Sequence, residues 1–252
     1  MADSEENILD EEESPAEVEM GFLDHLEELR WRIIYSLLGI VVGTIIAWIF
    51  IDFFIDHVLL VPAKVAGFKL QNLRPFGQLF LYFQVAMIIG FIISLPNVVY
   101  HVWKFIAPAL KHTEKKYVKW IVIFTTFCFL CGVVFAYFLM LPLTLKFAAG
   151  FGSQSIANNF SIDEYFSIII SVILGAGLVF ELPMLSFFLS KLGILTAGFM
   201  RKYRRHAIVV IMFLAAILSP GTDPVSQVLL AIPLVFLYEV SILVAKYSQK
   251  KS

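Results

Sequence analysis

Charge is scarce in this 252-residue chain: 15% of residues are Asp, Glu, Lys or Arg, while 60% are hydrophobic. A soluble domain carries about 25% charged residues, so there is too little charge here to clothe a water-soluble globule. Cysteine is nearly absent, with two residues, which excludes a disulfide scaffold. No Ser/His/Asp order, HExxH pair or phosphate-cradling glycine loop occurs, and the five His lie at or near the ends of apolar runs without forming a ligand cluster. Those gaps exclude the familiar catalytic and metal-binding machinery, so neither an enzyme nor a cofactor is expected. No internal repeat or low-complexity segment appears, nor any basic footprint for nucleic acid.

Long apolar runs are abundant instead. Ile33–Ile51 is 19 residues without a charge, and Pro75–Trp103 and Trp120–Leu145 hold no Asp, Glu, Lys or Arg. Tyr165–Ser190 holds only Glu181, Ala207–Thr222 holds none, and Pro224–Ala245 holds only Glu239. A span needs about 20 apolar residues to cross hydrocarbon. Continuous runs exclude the alternation of a membrane β-barrel. The expected fold is therefore all-α and polytopic, with six transmembrane helices. The fifth is the short one: its 16 residues reach about 24 Å, and a turn-rich Ser219–Pro224 connector joins it to the sixth.

The charges that do occur are unevenly placed. Residues 1–20 hold nine acids and no Lys or Arg, a self-repelling composition that predicts a disordered tail over 1–21. Phe22, Leu26, Leu29 and Ile33 recur at helical spacing, which predicts a short amphipathic helix on the membrane surface before the first span. The membrane domain is then 22–247, followed by a short tail, 248–252. With the N-terminus inside, 15 of the 19 Lys and Arg fall on inner segments; Lys64, Lys69, Arg74 and Lys146 fall outside. That bias predicts both termini in the cytoplasm. Two outer loops, about 52–78 and 146–163, are long enough to fold over the outer face, the first stiffened by Pro62 and Pro75.

Few side chains stand out individually. Cys128 and Cys131 form a CxxC in mid-span, read as two small helix residues. Gly39 and Gly43 form a GxxxG, a helix-packing feature. Glu181 lies in mid-span within Phe180-Glu-Leu-Pro183; a carboxylate there costs about 2.5 kcal/mol or more on insertion scales. It is either a structural acid bonded to a neighbouring helix or a functional polar site facing a wet cavity. Glu239, near the inner end of the last span, reads as structural. Glu28 has an ordinary reading as the i,i+4 partner of Arg32, and Glu114 as a salt-bridged loop residue among lysines.

Taken together, His25-Leu-Glu-Glu-Leu-Arg30, the segment Pro96–Leu110, Phe135-Ala-Tyr137, Phe180-Glu-Leu-Pro183 and Ala231-Ile-Pro233 resemble the C subunit of the twin-arginine translocase, TatC. The resemblance runs over about residues 22–247. It implies a six-helix protein of the bacterial cytoplasmic (inner) membrane with both termini inside. It also implies a receptor for the twin-arginine signal peptides of folded proteins, working with TatA/TatB-type single-span subunits under the proton-motive force and self-associating in a receptor complex. By position, the signal-recognition glutamates fall on Glu28 and Glu114, with Arg30, Phe105 and Pro108 in the same inner patch. The intramembrane glutamate falls on Glu181. The first-loop proline falls on Pro62, and the last outer loop's acid on Asp223.

The chemistry suits that implication. Guanidinium forks pair best with carboxylates through charge-assisted, often bidentate bonds. Two acids placed among repelling cations supply local specificity, while the surrounding Lys and Arg attract anionic lipid headgroups. The alternative reading is a proton-coupled secondary transporter of a small solute using Glu181; the missing repeat stands against it.

Overall fold

The computed structural model describes residues 22–67, 69–106, 118–150, 159–218 and 224–248. Helix α1 is Phe22–Ile49; α2 is Ile51–Phe54, a π-helical turn follows over Ile55–Leu59, and α3 is Val61–Ala66. Strand β1, Lys69–Gln71, leads to the long α4, Gly77–Ile106. Helix α5, Val118–Phe135, passes through a second π turn, Ala136–Met140, into α6, Leu141–Gly150. Strand β2, Asn159–Ser161, precedes α7, Ile162–Val179, and α8, Leu182–Lys191. The chain closes with α9, Ala197–Lys202, α10, Arg204–Leu218, and α11, Pro224–Ser248.

Among the described residues, five helical stretches are long and apolar enough to cross a membrane: Leu23–Ile49, Gly77–Ile106, Lys119–Ala148, Ile162–Lys191 and Leu230–Ser248. The short run anticipated after Arg205 is helical too. Helix α10 has 15 residues, about 22 Å of rise, and is shorter than those five. One expectation is corrected. The amphipathic stretch from Phe22 is no separate surface helix but the first turns of α1, which runs unbroken for 28 residues. No Gly or Pro interrupts residues 22–38, and the Glu28–Arg32 pair spans the junction at helical spacing.

Helix α1 packs almost wholly on α4. The contact is close because both helices are stripped of side chains where they cross. A Cβ on Gly43 would lie 2.5 Å from the Gly90 carbonyl oxygen, and one on Gly90 would lie 2.5 Å from the Thr44 Cα. Ser94 Oγ donates to the Gly39 carbonyl at 2.6 Å, and Asn97 Nδ2 to the Tyr35 carbonyl at 3.2 Å. The remaining circumference of α1 is bare and apolar, with Leu37, Val41 and Ile45 more than half exposed. In lipid, that is a satisfied surface.

The main core joins α4, α6, α7 and α11 through Leu81, Val85, Leu141, Phe166, Ile169 and Leu234, all 3% exposed or less. At the Glu28 end a second core gathers Leu95, Val99, Trp103, Ile121, Phe129 and Met184. At the opposite end one buried side chain bonds two backbone groups. Tyr165, 1% exposed, donates its hydroxyl to the Leu59 carbonyl at 2.6 Å and accepts from the Ala63 amide at 3.1 Å. Ala63 sits in the first turn of α3, where backbone donors lack helical acceptors. Tyr137 adds a bond from its hydroxyl to the Val58 carbonyl at 2.8 Å. Parallel pairing of β1 with β2, Leu70 opposite Phe160, joins the two expected outer loops, and Arg74 reaches Asp163 at 3.4 Å.

Removing the Tyr165 hydroxyl strands a carbonyl and an amide at once. Tyr165→Phe should therefore cost about 1–3 kcal/mol, seen as a lower unfolding midpoint in detergent. Amide exchange should quicken over Leu59–Ala66 while α1 and α4 keep their protection.

Candidate functional site

Two carboxylates define the places of interest, one at an end of the bundle and one in its middle. Glu28 lies one helical turn after His25 on α1. The His25 ring stacks on Phe105 of α4 with centroids 4.4 Å apart and planes 14° apart, so the start of α1 is fastened to the end of α4. Arg32 Nη2 donates to Glu28 Oε1 at 2.7 Å and Arg32 Nε to the same oxygen at 3.3 Å. Both side chains are withdrawn, 18% exposed for Arg32 and 19% for Glu28. Oε2 of Glu28 is buried and has no hydrogen-bond partner among the described residues. The i,i+4 pair expected from sequence is thus present, yet it uses only one of the two carboxylate oxygens.

The structure brings Glu28 and Phe105 to the same end through His25. It does not bring Arg30 with them. Two residues beyond Glu28, Arg30 falls about 200° around the helix; it is exposed, with its guanidinium 6.0 Å from the Trp31 ring centroid. Pro108, Glu114 and Asp223 lie outside the described residues. Pro62 is at the far end, buried in the first turn of α3, where a missing N–H removes no helical bond.

Glu181 occupies a break in the fourth long segment. Helix α7 ends at Val179 and α8 begins at Leu182. The Glu181 amide donates to the Leu178 carbonyl at 3.1 Å, a tightened turn, and its carbonyl accepts from Leu185 at 2.8 Å. Pro183 has no N–H to return to Val179, which is why the helix parts there. Helix α5 is drawn tight beside the break: a Cβ on Gly132 would lie 2.7 Å from the Ala176 carbonyl oxygen, and one on Gly177 2.7 Å from the Phe129 ring. Among the described residues, Glu181 Oε1 and the hydroxyls of Thr125 and Thr126 are buried without partners. The bundle therefore keeps unsatisfied polar atoms in the middle of its apolar length.

Other singled-out residues are structural. Glu239 accepts from Arg204 Nη2 at 2.7 Å with both side chains nearly half exposed, a pair worth little to stability. Cys128 and Cys131 are free thiols, partly buried within α5, and among the described residues no cluster of His, Cys, Asp or Glu is built to hold a metal. Sequence reasoning gave Tyr165 no role and quoted His25 only as the start of a segment, without its stack on Phe105. The only trace of the first is a tyrosine opening an apolar run, and of the second a histidine one turn before an acid.

A helical membrane protein with a withdrawn carboxylate at one end and a polar break in mid-bundle is the class these features define. The family model for Sec-independent protein translocase protein (TatC) matches residues 24–233. The TatC protein of Carboxydothermus hydrogenoformans is 37% identical over 232 residues, covering 92% of this chain and 95% of its own. That of Aquifex aeolicus is 35% identical over 236 residues, covering 92% and 97%. A solved structure described as the twin arginine translocase receptor TatC superposes with a TM-score of 0.79 at 36% identity, over 89% of this chain and 99% of that one. The chain belongs to the TatC family of protein translocase proteins.

A buried unpaired oxygen costs about 1–3 kcal/mol, so Glu181→Leu should raise the unfolding midpoint in detergent. A lowered midpoint would show that the oxygen has a partner that stabilises the fold.

Proposed function

We propose that this chain is the receptor subunit of a translocase that exports folded proteins, binding their twin-arginine signal peptides at the Glu28 end. The observation that carries the reading is the half-satisfied Glu28 carboxylate, one oxygen held by Arg32 and the other buried without a donor. A carboxylate in that state favours one more charge-assisted donor, and a guanidinium supplies it with a planar fork. The solved relative's description as a twin arginine translocase receptor supports the same ligand. Glu114 provides the second acid, Phe105 an apolar wall, and Arg30 and Pro108 the rim of the inner face.

The finer features of the reading follow from the family. Six helical spans cross the bacterial inner membrane with both termini in the cytoplasm, α10 being the short fifth span. Glu181, in its polar break, receives the helices of single-span TatA/TatB-type subunits. Pro62 and Asp223 serve the outer face. The proton-motive force drives transport, and copies of the chain associate in the receptor complex among anionic lipids. The lysine and arginine distribution, 15 of 19 on inner segments, supports the orientation. Reporters fused after Lys116, Arg205 and Ser252 should then read cytoplasmic, and those near Gly67, Ser155 and Gly221 external. An external C-terminus would overturn the arrangement.

Peptide binding tests the receptor itself. Each charge-assisted bond contributes about 1.5–3 kcal/mol, so Glu28→Ala and Glu114→Ala should each weaken a twin-arginine peptide by roughly 10- to 150-fold. High salt should weaken the wild type as well. Replacing the peptide arginines by lysines should cost affinity in the wild type and much less in the double variant. Equal loss in both backgrounds would place arginine recognition elsewhere.

A further inference from the structure

A shallow furrow runs along the α1–α4 seam, starting one turn beyond the Glu28–Arg32 pair. Its α1 wall is Tyr35, Leu38, Val42 and Ile46, and its floor is the glycine pair Gly39 and Gly43. From α4 come Ile93, Ser94, Asn97 and His101. The furrow overlies the seam at which the glycines let α4 approach α1 closely. It shares one face of α1 with the candidate receptor residue: Glu28, Arg32, Tyr35, Gly39, Val42 and Ile46 succeed one another at steps of three and four, the spacing of a single helical stripe.

We infer that this furrow is the seat of the apolar segment that follows the arginine pair in the signal peptide. The inference deepens the receptor reading and rests on it. Three observations choose this occupant over others. The order of chemistry along the stripe, a carboxylate first and then an apolar trough, complements that of a signal peptide, which is basic first and apolar after. The lengths agree: Tyr35 to Ile46 rises about 16 Å, and an apolar segment of about 7–15 residues is about 10–22 Å long as a helix. The polar atom left open also sits at the matching end. His101, whose ring stacks on Tyr35 at 5.5 Å, has a buried Nδ1 without a partner among the described residues. A helix entering the furrow from the Glu28 end arrives with its first-turn amides unbonded, and these are donors suited to an unprotonated Nδ1.

The walls identify the variant to use. Val42 is 56% exposed, so Val42→Trp fills the trough without entering the α1–α4 contact. Two peptides are measured against the full chain in lipid nanodiscs, one carrying the arginine pair and its apolar segment, the other ending just after the arginines. Val42→Trp should weaken the longer peptide about tenfold and leave the shorter one unchanged, whereas Glu28→Gln should weaken both. Wild-type affinity of Val42→Trp for the longer peptide, or equal weakening of both peptides, overturns the furrow assignment. A selective effect of Val42→Trp alongside an inert Glu28→Gln sinks the arginine site while sparing the furrow. A photo-crosslinker at position 42 supplies an assay that tolerates a poorly folding tryptophan variant. Capture of the peptide supports the assignment; capture of a partner span, a second copy of this chain or lipid alone in the presence of peptide overturns it.

Discussion

A backbone carbonyl or amide left bare in hydrocarbon costs several kcal/mol, and that cost decides where this chain can depart from regular helix. Two departures deep in the described fold are each covered by particular neighbours. The π turn over Ile55–Leu59 gives up carbonyls that Tyr165 and Tyr137 recover from two other segments. Tyr137 itself stands in the second π turn, so the two irregular turns stabilise one another. The break at Phe180–Glu181 is tightened by its own i+3 bond and closed off by α5, whose Gly132 allows the approach. Irregular backbone is tolerated only where protein replaces water.

The same constraint separates the molecule into two parts of different character. The segments from α4 to α8, with α11, share cores in which Tyr165, Phe129 and Leu141 are essentially sealed. Helix α1 stands outside those cores and, among the described residues, is held chiefly by α4, through a glycine crossing, two side-chain hydrogen bonds and the His25–Phe105 stack. A helix held on one side can present a complete face to something else. It is also the helix that carries Glu28, so the candidate recognition residue sits on the least buried of the long spans, while Glu181 sits at the break between α7 and α8.

Much of this was legible from residues alone, and for a physical reason. Lipid leaves little freedom: about 20 uncharged residues predict a helix, and Lys and Arg predict its orientation. Hence α1, α4, α5–α6, α7–α8 and α11 coincide with apolar runs, and the break beside Pro183 follows from a missing donor. What composition does not encode is which residues meet across the bundle. Nothing in Ile162-Asp-Glu-Tyr165 announces that the tyrosine will bond two groups a hundred positions earlier. The amphipathic start of α1 misled for the opposite reason: its polarity changes, but its helical propensity does not, so no boundary forms. For the site, the type and spacing of Glu28 and Arg32 predicted their pairing, while the unequal use of the two carboxylate oxygens required coordinates.

That inequality gives the two acids a common logic. An ion pair that engaged both oxygens of Glu28 would leave a weaker acceptor for an incoming cation. An isolated carboxylate at the same depth would carry a desolvation penalty with no compensation. Arg32 takes one oxygen and offsets part of that penalty while leaving a directional acceptor. Glu181 lies at a proline break, and its Oε1 is likewise buried without a partner among the described residues. Each arrangement holds polar groups in an apolar protein short of saturation, the state from which a further hydrogen bond gains the most.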